Sequence, residues 1–119
     1  MSTTTDELDL GALRQAIERR DAEAVCAMFA PDAELISIDV EHPPSNPRRA
    51  RGIEEIRNAL TDVYARDMTH KVTQAIGGPG AASYAVACRY PDGTRVMSNA
   101  MLDVREGQIV RMQEVVAWD

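Results

Sequence analysis

From Thr69 onward the chain alternates apolar and polar residues, and turn-forming clusters cut that alternation three times: GGPG at 77–80, PDG at 91–93 and REG at 105–107. Glycine and proline supply the backbone angles that tight connections need, so the segments between these clusters read as strands joined by hairpins. The expected strands are Thr69–Ile76, Ala82–Tyr90, Thr94–Arg105 and Gln108–Trp118. Four strands in succession, with no helix between them, exclude an alternating α/β order.

The first half follows a different period. Thr4 and Glu7 have capping-box spacing, and Leu10, Leu13 and Ile17 recur at helical intervals behind them. Asp21 is a suitable cap for a second, shorter helix carrying Val25, Met28 and Phe29, expected to end before Pro31. Ala33–Val40 then alternates, with Leu35, Ser37 and Asp39 on one face and Glu34, Ile36, Ile38 and Val40 on the other. The stretch EHPPSNPRRARG holds three prolines and reads mostly as loop. Gly52 introduces a third helix with Ile53, Ile56, Leu60, Val63 and Tyr64 on one stripe. Helices first and a meander last make the fold class α+β, a flexible N-terminus at 1–4 preceding a single domain over 5–119.

Composition narrows the function classes. A chain of 119 residues suits one hydrophobic core, and 45% hydrophobic with 27% charged residues is a globular balance. A net charge of −6 argues against nucleic acid as a partner. MSTTTDELD has no basic-then-apolar leader and no apolar run approaches the roughly 20 residues of a membrane helix, so a cytoplasmic protein without membrane partners is expected. Cys26 and Cys88 stand far apart in apolar segments and read as free, buried thiols. His42 and His70 lack carboxylates at ligand spacing, so neither a metal nor a cofactor is expected.

Strand parity locates the interior. On the last strand Val110, Met112, Val116 and Trp118 share a face whose one polar member is Glu114. On the strand before it Ala100, Leu102 and Val104 point inward, and Asn99, Met101 and Asp103 outward. The long mixed outer face is of the kind that packs against a second copy, so a homodimer is expected.

Three stretches, RRDAEAVCAMFAPDAEL, RGIEEIRNAL and VREGQIVRMQEVVAW, in this order and spacing, resemble the nuclear-transport-factor-2-like superfamily and its SnoaL-like and ketosteroid-isomerase-like branch. The resemblance implies a cone: a highly curved antiparallel sheet packed on three helices of the N-terminal half, enclosing a pocket for a small apolar molecule. It also implies a residue-level test. The isomerases' base Asp, oxyanion Tyr and protonated Asp correspond to Ser37, Leu13 and Ala100, so steroid isomerisation by that mechanism is disfavoured. SnoaL-type polyketide cyclases carry an acidic residue inside the last strand, where this chain has Glu114. The inward Arg and two Asp of limonene-epoxide-hydrolase relatives cannot be assembled. His70 is similar to the His that opens the third strand of scytalone-dehydratase-like members, without their tyrosine and histidine partners.

The catalytic candidates are therefore Glu114, His70 and Asp39. A carboxylate facing an apolar cavity loses hydration, which raises its pKa toward that of a base useful at neutral pH. His70, sharing parity with Val72 and Ile76, is placed to shuttle a proton or orient Glu114. Asp39 would be a second carboxylate at the mouth. The pocket is expected to be lined by Leu13, Ser37, Tyr84, Ala100, Met112, Val116 and Trp118, with Tyr90 as a further hydroxyl and His42 over the opening. Arg48, Arg49 and Arg51 form the one dense basic cluster, suited to a carboxylate or phosphate tail. Each has a plainer structural account: a paired Glu, a satisfied interior His, a loop-capping Asp, solvated arginines. Two functions follow. One is a cofactor-free cyclase or isomerase with Glu114 as base. The other is a non-catalytic module, its interior filled by Met28, Met112 and Trp118 or its Glu114 neutralised by an ion pair.

Overall fold

The computed structural model describes residues 7–119. Its elements in chain order are α1 (Leu10–Glu18), α2 (Ala22–Cys26), β1 (Phe29–Ile38), β2 (Arg48–Arg51), α3 (Ile53–Tyr64), β3 (Thr69–Gly78), β4 (Ala81–Arg89), β5 (Arg95–Arg105) and β6 (Gln108–Trp118). Three helices thus pack on one curved, unclosed six-stranded sheet of order β2-β1-β6-β5-β4-β3. The α+β reading holds.

Local chemistry explains the helix ends. Asp9 caps α1, its carboxylate accepting from the Ala12 amide at 3.0 Å, and Asp21 does the same for α2 through Ala24 at 3.1 Å. The chain turns between these two helices at Arg20, in the left-handed region at φ 54°. Gly52, at φ 81°, opens α3 in a conformation that a side chain would resist, and Glu54 and Glu55 in the first turn complement the helix dipole. The Thr4 end of the expected capping box lies outside the described residues; α1 begins at Leu10, behind its Asp9 cap.

Several boundaries differ from the sequence reading. The second helix stops at Cys26, and β1 begins at Phe29 and runs through Pro31. Pro31 is tolerated because β1 steps out of register with β6 between Phe29 and Glu34, where a missing N–H removes no regular ladder bond. Arg48–Arg51, inside the expected loop, form a short strand antiparallel to β1. The β3–β6 meander is antiparallel, but β1 joins β6 in parallel, so the sheet is mixed. Two bulges overturn parity arguments. An extra residue between Val72 and Gln74 turns Ile76 outward, 68% exposed, although Val72 is buried. A second, opposite Asp103 and Val104, buries Ile109 instead of Val110.

The core lies between helices and sheet, where Leu13, Ile56, Val72, Leu102 and Ile109 are almost wholly buried. Cys26 and Cys88 are free and buried. No described helix is long and apolar enough to cross a membrane.

Candidate functional site

Strand register sets the site. Arg48 pairs with Ser37, Ser37 with Glu114, Glu114 with Ala100, and Ala100 with Tyr84, so these five residues form one row across β2, β1, β6, β5 and β4. Paired residues on adjacent strands share a face. Glu114 is therefore flanked by two small side chains, and the row opens into a cavity of about 140 Å³ between sheet and helices. Arg48, Ser37, Glu114 and Tyr84 all line it; Val63 and Tyr64 of α3 close the other side.

Glu114 is half-buried and faces this space. Burial pushes its carboxyl above the usual carboxylate range; the Ser37 hydrogen bond and the Arg48 charge oppose that rise. Ser37 Oγ donates to Glu114 Oε1 at 2.7 Å, and Glu114 makes no salt bridge among the described residues.

Two phenols share the cavity. Burial, reinforced by the negative charge of Glu114, raises the pKa of both Tyr84 and Tyr64. Both are hydrogen-bond donors at any physiological pH. Among the described residues the Tyr84 hydroxyl meets the Met112 sulfur alone, at 3.8 Å, a weak acceptor. Tyr64 sits on the apolar stripe of α3, and its place in the wall was missed because helical spacing alone makes it a core residue.

His70 is buried and lines the same cavity, in a different row from Glu114. It belongs to the row Trp118–Val96–Cys88–His70, four residues along β6 from Glu114, roughly 14 Å at the rise of an extended strand. Its Nδ1 stands 3.2 Å from Cys88 Sγ and its ring meets Tyr64 edge-on at 5.2 Å, while its buried Nε2 has no hydrogen-bond partner among the described residues. Burial, with help from the Arg20 charge, lowers its pKa, so the ring is neutral near pH 7. Burial, with Glu114, pushes the Cys88 thiol up to about 11. Orientation of Glu114 by His70 therefore has no direct contact behind it.

Asp39 is a loop cap as well as a lining residue. Its Oδ1 accepts from the Glu41 and His42 amides and stands 2.9 Å from His42 Nδ1. Burial favours a higher pKa, but these hydrogen bonds outweigh it and hold the carboxyl below its ordinary value. His42 is engaged there and is not among the lining residues.

Of the remaining expected lining, Met112, Val116 and Trp118 are in the wall, Trp118 at the rim, 44% exposed and stacked on Tyr90. Leu13 and Ala100 are not; both are packed in the core, 2% and 1% exposed. Tyr90 borders a separate surface hollow with Arg19, Arg20 and Arg89. Met28 packs against the core, leaving the interior open. No group of three or more His, Cys, Asp or Glu among the described residues is placed to hold a metal.

The SnoaL-like domain model matches residues 10–112, which takes in the three helices, the first five strands and the start of β6, and stops short of Glu114. The chain belongs to the SnoaL-like domain family. Solved structures agree on the fold of this SnoaL-like chain. A candidate ketosteroid isomerase from Kribbella flavida DSM 17836 is 20% identical, with a TM-score of 0.71 over 92% of this chain and 74% of that one. A candidate polyketide cyclase from Sinorhizobium meliloti is 18% identical, with a TM-score of 0.66 over 88% and 91%. An uncharacterised protein with a cystatin-like fold from Silicibacter pomeroyi DSS-3 is 13% identical, with a TM-score of 0.72 over 90% and 72%. At such identities the likeness is one of fold. No curated protein matches the chain.

Proposed function

We propose that this SnoaL-like protein takes a compact apolar carbonyl compound into its cavity and that Glu114 abstracts a proton beside the carbonyl, without a cofactor. The observation that carries this reading is the carboxylate itself: facing the cavity, hydrogen-bonded to Ser37, and in no salt bridge among the described residues. Its raised pKa moves it toward the range where a general base is most effective near neutrality. Tyr64 and Tyr84 supply hydroxyl donors for the oxygen on which charge develops.

Cavity size limits the substrate class. An engineered cavity of about 150 Å³ accommodates a benzene molecule. A volume of about 140 Å³ therefore suits one ring or its open-chain equivalent and is small for a fused polycycle. The candidate isomerase and cyclase among the similar structures support the reaction class and leave the substrate open.

The test uses exchange at carbon. Cyclohexanone and acetophenone are incubated with protein in heavy water, and loss of the α-proton signals is followed by NMR. Wild type is expected to accelerate exchange over buffer, and Glu114→Gln to lose that acceleration by about a hundredfold or more. Equal rates for the two proteins would reject Glu114 as the base.

A second reading, binding without turnover, is favoured by one observation: the three positions of the isomerase machinery hold Ser37, Leu13 and Ala100. Under it Glu114→Gln changes melting but no exchange rate. In either case we place the protein in the cytoplasm as a homodimer. Met97, Met101 and Val115, exposed together on the outer face of β5 and β6, support the dimer.

A further inference from the structure

The arginine run of β2 is divided by the alternation of the strand. Arg49 and Arg51 fall on one face, where both reach Glu34, at 2.8 and 3.5 Å. Arg48 and Ala50 fall on the other, and both line the cavity. Arg48 thus stands at the edge-strand end of the row that runs through Ser37 to Glu114.

Arg48 makes no salt bridge among the described residues. The acids around it are already engaged. Glu34 is held by the other two arginines, Asp39 by His42 and two amides, and Glu114 by the Ser37 hydroxyl. Arg66, the other arginine in the lining, pairs with Asp62 at 3.1 Å. Arg48 is therefore an exposed guanidinium in the cavity wall that makes no salt bridge among the described residues, its charge reaching Glu114 only at a distance, across Ser37.

We propose that Arg48 is a specificity residue that receives a carboxylate, so that the ligand is a compact apolar acid: the apolar body lies in the cavity and the carboxylate at the β2 edge. The planar fork of a guanidinium matches the two oxygens of a carboxylate. This deepens the reading above and rests on its premise that the cavity takes a ligand. It implies a substrate with two oxygen functions, the carboxylate anchored at Arg48 and the carbonyl nearer Glu114 and the phenols.

Trp118 is the chain's single tryptophan and lines the cavity, so its fluorescence reports occupancy directly. The probes are benzoate and benzyl alcohol, similar in size and different in charge, titrated into wild type, Arg48→Met, Arg48→Lys and Arg49→Met. Benzoate is expected to bind wild type more tightly than the alcohol. Arg48→Met is expected to weaken benzoate about tenfold and leave the alcohol unchanged, the scale of one charge-assisted hydrogen bond. Arg48→Lys recovers part of that loss, and Arg49→Met, altered on the opposite face, behaves as wild type.

Equal affinities for the two probes, or an Arg48→Met variant that binds benzoate as wild type does, would overturn the assignment while leaving the cavity reading intact. Binding of neither probe would overturn both. Matched melting temperatures for Arg48→Met and Arg49→Met separate a lost contact from a lost fold.

Discussion

Ser37 and Glu114 occupy matched positions on parallel neighbouring strands, and the serine hydroxyl reaches the carboxylate at 2.7 Å. That hydroxyl favours the ionised form, while burial favours the protonated one and prevails. The sign of the pH dependence follows. A carboxyl whose folded pKa exceeds its unfolded one binds its proton more tightly in the native state. Native stability from this group is therefore highest below the unfolded value and declines as pH rises through the folded value.

Glu114→Gln removes this decline. Its stability relative to wild type is expected to improve as pH rises from the acid side to neutrality, measured by urea unfolding at each pH. Ser37→Ala is expected to move the Glu114 midpoint higher still, read from the carboxyl carbon signal. A midpoint that fell or stayed put would show that the hydroxyl does not hold the charge.

The two thiols give a second measurement. With its pKa at about 11, Cys88 has a thiolate fraction at pH 8 of roughly a thousandth. Cys26 is also raised, by burial first. Native protein is therefore expected to react with a thiol reagent at least a hundredfold more slowly than protein in urea. Cys26→Ser isolates Cys88. Rapid native labelling of that variant would mean that His70 had taken the thiol proton and that the pair is ionic.

The outer face of the sheet gives a third. Met101 is 72% exposed, so a charge there costs the folded chain little. Met101→Glu is expected to convert a dimer into a monomer in sedimentation, with no change in melting of the monomeric fold. A wild type that sediments as a monomer would remove this face from consideration.

The fold was legible because its signals are local: Asp21 before a helix, Gly52 opening one, and three turn clusters in the second half. The inward place of Glu114 was legible for the same reason, since parity counts outward from apolar neighbours. What failed were arguments that carried parity across a bulge, as with Ile76 and Val110, because one extra residue reverses the face and leaves no mark in composition. Leu13 and Ala100 were misplaced by correspondence with other proteins, where larger polar side chains stand. Tyr64 and Arg48 entered the wall through geometry that only three dimensions supply: a helix laid over the row, and a short strand found in a proline-broken stretch.

Beyond its bulge β6 alternates regularly: Met112, Glu114 and Val116 line the hollow, and Gln113, Val115 and Ala117 face away from it. The wall that carries the acid is thus a single chain thick. Whatever rests against its far side leans on the same peptide units that aim the carboxylate, so assembly and chemistry would be felt through one shared partition.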